Sequence, residues 1–242
     1  MNDKQKELFY SFPIYGMTAE DLSYSNDNIK DVKDMLDAGI KVIQYREKKK
    51  KFKYMYDQLV IIRQMTKEAG AMLIVDDFVG LALAVGADGV HVGQEDIPVE
   101  AIKAIAPKDF IVGVSTHKPE HAQRAVESGA DYIGVGPIYA TQTKEDVCDP
   151  VGLDYLDYVA ANVKIPFVAI GGIKENNIDD VFESGCNLAC LVTGIVGQSD
   201  IKKVVRDLKR VYDESKENSN QREFRNLKIY LIFSIILTTP LI

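Results

Sequence analysis

Apolar residues along this chain fall into two alternating rhythms. Short runs rich in β-branched residues occur at 14–18, 41–46, 72–76, 89–93, 111–115, 132–136, 167–171 and 188–193, each with the length of a buried strand. Between them, residues 29–38, 54–69, 119–128 and 177–184 place apolar side chains at i, i+3, i+4 and i+7, the stripe of an amphipathic helix. The order is strand then helix throughout. An internal repeat reinforces it, because DAGIKVIQYRE, AVGADGVHVG, ESGADYIGVG and ESGCNLACLVTG share one plan. In each, a helix ends on a glycine (Gly39, Gly86, Gly129 or Gly185) that can close it in the left-handed conformation, and a strand follows.

Parallel strands joined by helical crossovers follow from this pattern. Eight units in about 200 residues predict a single-domain α/β protein, a (β/α)8 TIM barrel with a closed eight-stranded parallel sheet. Its expected limits are residues 14–213, after an N-terminal extension at 1–13 and before a polar linker and apolar tail at 214–242.

Composition narrows the function. A net charge of −7 and a pI near 5.1 argue against nucleic acid, whose binding rests on clustered Lys and Arg. Cys148, Cys186 and Cys190 form no zinc-like pair of pairs. With no apolar stretch fit for a signal peptide at the start, they read as reduced thiols of a cytoplasmic protein. The apolar run 227–242 holds 16 residues, including Lys228 and Pro240, short of the roughly 20 that span a bilayer. A membrane-surface contact by this tail and a homo-oligomer both stay open.

Chemistry is expected at the C-terminal ends of the strands. Gln44, Arg46 and Lys48 stand at spacing two, so a persisting strand would aim all three into the barrel mouth, where their donors suit an anionic ligand. The basic run continues through Lys51 and Lys53, which read as solvated helix positions. Asp76 and Asp77 end the third strand and Asp96 follows the fourth; they could share a Mg²⁺ or cap helices. Ser115, Thr116 and His117 end the fifth strand. His91, between two valines, reads as a barrel-lining histidine. The loop GPIYATQTKEDVCDP offers Thr141, Thr143 and Lys144 on a segment long enough for a lid. Gly171–Gly172 and Val192–Thr193 lie after the seventh and eighth strands, where backbone N–H groups commonly hold phosphate.

Six segments in order, QYREK at 44–48, DD at 76–77, GADGVHVGQED at 86–96, GVS at 113–115, GADYIGVGPIYATQTK at 129–144 and AIGGI at 169–173, resemble the thiamine-phosphate synthase family. The resemblance runs from about residue 14 to 211. It implies a transferase of thiamine biosynthesis with two small phosphorylated heterocycles as partners. Such an enzyme joins 4-amino-2-methyl-5-hydroxymethylpyrimidine diphosphate to 4-methyl-5-(2-phosphooxyethyl)thiazole with Mg²⁺, releasing diphosphate. It further implies Gln44, Arg46, Lys48, Asp76, Ser115 and Lys144 on the pyrimidine diphosphate, with Arg46, Lys48, Ser115 and Lys144 as the catalytic set. Asp77 and Asp96 would hold the metal, and Thr141, Thr143, Gly171, Gly172, Val192 and Thr193 the thiazole phosphate.

Two departures stand out. Asp76-Asp77-Phe78 replaces the family's usual Asn-Asp-Arg, and Thr193 replaces serine. A second carboxylate at Asp76 would repel a diphosphate unless a cation compensates. A thiazole tautomerase and a non-catalytic regulator that binds thiamine precursors remain the alternatives.

Overall fold

The computed structural model describes residues 1–141, 143 and 148–238. Eight strands among these residues close into a parallel barrel in sequence order: β1 Ile14–Met17, β2 Val42–Tyr45, β3 Met72–Asp76, β4 Gly89–Val92, β5 Ile111–Thr116, β6 Tyr132–Val135, β7 Phe167–Ile170 and β8 Ala189–Cys190. Closure is made by β8, which pairs with both β7 and β1. The interleaved helices are α1 Asp3–Phe9, α2 Asn28–Asp37, α3 Phe52–Glu68, α4 Val79–Val85, α5 Val99–Ile105, α6 Pro119–Glu127, α7 Gly152–Asn162, α8 Ile178–Glu183 and α9 Ile201–Thr238.

Strand alternation sorts the core into two compartments. Outward residues such as Ile14, Ile43, Leu73, Val90, Val112, Ile133 and Ala169 pack under the helices. Inward residues, among them Tyr15, Val42, Met72, Ile74, Ile111, Tyr132, Val168 and Leu188, fill the barrel itself. The repeat glycines behave as their positions predict: Gly39, Gly86, Gly129 and Gly185 all have positive φ, between 62° and 101°. Two repeats also share an aspartate with one task. Asp88 accepts from Leu73 N at 2.8 Å and pairs with Arg63 at 2.6 Å, while Asp131 accepts from Val112 N at 2.8 Å and pairs with Lys103. Each ties two neighbouring strands and a helix together at the N-terminal end of the barrel.

Three segments differ from what the sequence predicts of them. The N-terminal extension contains α1, whose Phe9 is fully buried against Tyr15 and Tyr132, with ring centroids 6.3 and 5.0 Å away; it plugs the bottom of the barrel. Strand β8 has two residues, because Val192 O already accepts from Ile195 N and Val196 N and the chain has turned at Thr193. The polar segment after 213 continues α9 as helix, since it lacks Gly and Pro and is rich in helix-forming Glu, Lys, Gln and Arg. Side chains of the apolar run 227–242 lie outside the described residues. No helix among the described residues is long and apolar enough to cross a membrane.

Candidate active site

The C-terminal end of the barrel opens into a cavity of about 940 Å³. Arg46, Ser115, Thr141, Thr143, Gly171, Gly172, Val192 and Thr193 all line it, together with His117, Cys148, Lys174 and Cys190. Eight of the residues that the sequence singles out are therefore brought to one mouth. Lys144 lies outside the described residues.

Gln44 sits beneath the mouth, 2% exposed, its Nε2 donating to Tyr15 Oη at 3.0 Å. Its buried Oε1 has no hydrogen-bond partner. Strand β2 ends at Tyr45, so Arg46 and Lys48 leave from a loop and do not share one strand face with Gln44. The loop is nevertheless held. Thr18 Oγ1 accepts from Arg46 N at 2.8 Å. Glu47, between the two cations, points away from the mouth and accepts from Glu20 N at 3.0 Å and Asn28 Nδ2 at 2.8 Å.

Lys48 does not border the cavity. It turns to the end of β3, where its ammonium meets Asp76 at 2.8 Å and Asp77. Arg46 Nε lies 3.6 Å from the same Asp76 oxygen, an ion pair without hydrogen-bond alignment, and this Nε is otherwise unpartnered. The second carboxylate at position 76 is thus compensated within the chain, by the two cations expected to meet the diphosphate. Asp77 sits in the left-handed region at φ 59° and its N–H donates to His91 O at 2.8 Å. Burial, and then the neighbouring Asp76 carboxylate, push the Asp77 acid above the usual carboxylate range despite the pull of Lys48; Asp96 adds to the push. Burial works against the Lys48 ammonium, but Asp76 and Asp77 outweigh it and raise its pKa. Asp96 Oδ2 accepts from Gly93 N at 2.6 Å. Phe78 packs edge-on against Phe52, ring centroids 5.3 Å apart, and brings no charge to the mouth. Within the remaining basic run, Lys50 pairs with Glu20 at 2.8 Å and Lys53 with Asp57 at 2.6 Å.

Across the cavity, two loops lock together through glycine. A Cβ on Gly171 would stand 2.4 Å from Pro137 Cβ, and one on Gly172 2.7 Å from the backbone oxygens of Tyr139 and Ala140. Both have positive φ, 98° and 66°, so no other residue fits without displacing the loop after β6. That loop then carries Thr141, which donates to Thr143 Oγ1 at 3.0 Å.

Tyr15 and Tyr132 stand in no motif that the sequence singles out. Both lie inside the barrel, their hydroxyls 2.9 Å apart, and His91 joins them: Nδ1 is 2.9 Å from Tyr132 Oη and Nε2 2.9 Å from Ser115 Oγ. The available signal was a tyrosine at an inward position of each strand, hidden by the apolar run around it.

A parallel barrel whose mouth gathers Arg, Ser, Thr and paired glycines defines an enzyme class that handles phosphorylated small molecules. The family model described as thiamine monophosphate synthase matches residues 14–195, and the chain belongs to that family. It is 52% identical over 204 residues to the thiamine-phosphate synthase of Pelotomaculum thermopropionicum, covering 84% of this chain and 94% of the relative. It is 50% identical over 206 residues to that of Caldicellulosiruptor saccharolyticus, with coverage of 85% and 93%. The solved thiamine phosphate pyrophosphorylase from Pyrococcus furiosus superposes with a TM-score of 0.78 at 35% identity, covering 86% of this chain and 98% of that one.

Proposed function

We propose that this chain joins 4-amino-2-methyl-5-hydroxymethylpyrimidine diphosphate to 4-methyl-5-(2-phosphooxyethyl)thiazole, giving thiamine phosphate and diphosphate. One observation carries the reading. Arg46, Ser115 and the Gly171–Gly172 pair border a single cavity, in a chain half identical to thiamine-phosphate synthases along nearly their whole length. The names of these relatives favour a synthase over the tautomerase and the regulator.

The chemistry asks little of a protein nucleophile. The exocyclic amine of the pyrimidine can stabilise positive charge at the methylene carbon, so the C–O bond to diphosphate breaks first and the thiazole nitrogen then forms the C–N bond. The protein's part is to neutralise the leaving group and hold two rings face to face. Arg46 and Ser115 would hold the diphosphate, with Lys48 and Lys144. The buried, unpartnered Gln44 Oε1 suits an N–H of the pyrimidine's exocyclic amine. Thr141, Thr143, Gly171, Gly172, Val192 and Thr193 would receive the thiazole phosphate.

A magnesium ion fits the donor set. Among the described residues no three His, Cys, Asp or Glu side chains group closely enough to hold a metal alone, and Mg²⁺ commonly takes one or two carboxylates and completes its octahedron with water and substrate phosphate. Asp77 and Asp96 would hold it, and the Lys48 ammonium between Asp76 and Asp77 marks where a cation is already favoured. When bound, the ion would supply positive charge to the departing diphosphate.

Incubating the full chain with both substrates and Mg²⁺ and measuring thiamine phosphate tests the proposal. Binding of both substrates without product would favour the regulator. Isomerisation of the thiazole alone would favour the tautomerase.

A further inference from the structure

We propose that Tyr15, Tyr132 and His91 are positioning residues that turn Ser115 into a one-way hydrogen-bond donor toward the diphosphate, with the direction set by the Gln44 amide. The inference rests on the diphosphate reading of the mouth and adds how its neutral donor is aimed.

Five side chains from five strands form one continuous path across the barrel. Gln44 Nε2 is 3.0 Å from Tyr15 Oη, Tyr15 Oη 2.9 Å from Tyr132 Oη, Tyr132 Oη 2.9 Å from His91 Nδ1, and His91 Nε2 2.9 Å from Ser115 Oγ. An amide nitrogen only donates, so the first step has a fixed sense. Tyr15 is 1% exposed, and its own proton needs an acceptor; the Tyr132 oxygen stands in place. Tyr132 in turn donates to His91 Nδ1. An imidazole that accepts at Nδ1 carries its proton on Nε2 when neutral, and this proton meets the Ser115 oxygen. Ser115 therefore accepts from the barrel side, and its own hydrogen turns outward into the cavity that it lines. Running the path backwards would set the Tyr15 proton against the Gln44 amide hydrogens.

Burial pushes the acidity of both phenols far out of the physiological range. Both remain protonated and can pass a hydrogen bond along. The barrel is also shaped for these rings. A Cβ on Gly113 would lie 2.2 Å from the Tyr132 ring, and one on Gly134 3.2 Å from His91 Cε1. Glycine weakens a strand interior, so two strand glycines opposite two relay rings are slots cut for them. Simple filling of the barrel needs no such polar path, because Val42, Met72, Ile74, Ile111, Val168 and Leu188 fill the remainder with apolar groups, and replacing both partners of a buried hydrogen bond by apolar groups is often neutral.

The test uses the full chain, labelled at histidine nitrogen. It has three histidines, so His91→Gln assigns the signal. Nitrogen NMR should show His91 protonated at Nε2, and Tyr132→Phe should shift it toward a mixture. Calorimetry with inorganic diphosphate and Mg²⁺ should show about a tenfold loss of affinity in Tyr132→Phe, the scale of one hydrogen bond to an anion. In a Ser115→Ala background the same substitution should cost nothing more. An Nδ1-protonated ring in the unaltered chain, an unchanged affinity, or an equal loss in both backgrounds would overturn the relay. Tyr15→Phe, one step further from Ser115, replaces Tyr132→Phe should the latter fail to fold. If Ser115→Ala itself binds diphosphate normally, the reading of the mouth fails as well; if only the tyrosine variants are silent, the relay alone falls.

Discussion

At the N-terminal end of the barrel, Asp88 and Asp131 each accept a strand N–H and are fully paired with cations, Asp88 with Arg63 and Asp131 with Lys103 and the Met1 ammonium. At the C-terminal end, Asp76 and Asp77 share Lys48, Arg46 reaches Asp76 without hydrogen-bond alignment, and Gln44 keeps a buried oxygen unpartnered. The same residue types do different work. Matched pairs at the bottom satisfy each other and hold strands in register. The mouth leaves charges crowded and donors unfinished, because a ligand completes them, and such incompletely satisfied groups cost stability.

Arg46→Ala attacks the mouth and carries the largest expected effect. Turnover should fall by about 100- to 1000-fold, the range for removing one preorganised donor to a developing charge, with little change in melting temperature. A large drop in stability would break the contrast. Asp131→Asn attacks the bottom. Lys103 is 30% exposed, so the expected cost lies below that of a fully buried pair, about 2 kcal/mol. A lower Tm by roughly 4–8 °C, with near-normal kcat, would bear it out. Lys103, the Met1 ammonium and the bond from Val112 N hold the Asp131 acid below the usual range against the burial that would raise it. Its stabilisation is therefore complete above the ordinary carboxylate pKa of about 3.9 and is lost as pH falls through the lower folded value. The Tm gap between the two forms should close in that window.

Asp76→Asn frees Arg46 and Lys48 from a carboxylate, and should tighten binding of the pyrimidine diphosphate by roughly fivefold, a change of about 1 kcal/mol; equal or weaker binding in calorimetry contradicts it. Asp77→Asn carries the smallest effect on stability, opposite in sign to that of Asp131→Asn. Asp77 is raised in the folded state, so its ionisation destabilises the fold as pH climbs past the ordinary carboxylate value. The variant should melt slightly higher at pH 7 while losing activity. A lower Tm would place Asp77 with the structural pairs.

The mouth's half of this contrast was legible in the sequence, and the pairs at the bottom were not. Eight strands, their parallel order and the helix-closing glycines follow from local periodicity, and Arg46, Ser115, Gly171 and Gly172 stand out because polar or glycine residues interrupt strand ends. What stayed hidden depends on contacts distant in sequence. Tyr15 and Tyr132 meet across 117 positions, and within an apolar run a buried tyrosine looks like any other core residue. The turn of Lys48 toward Asp76 and Asp77 was equally hidden, because it depends on where β2 stops. The sequence did reveal that position 76 needs a compensating cation, but not that Lys48 supplies it.

Closure by β8 has a consequence for how the chain is made. Its two residues pair with β1 across some 175 positions, Ile14 with Ala189. On a ribosome, β1 emerges among the first residues and its partner near the last. Until then, β1 and β7 are the open edges of a seven-stranded sheet, the kind of surface that recruits strands from neighbouring chains. Synthesis paused or truncated before residue 189 would thus leave a nearly finished protein in its most adhesive form, and completion of one very short strand ends that exposure.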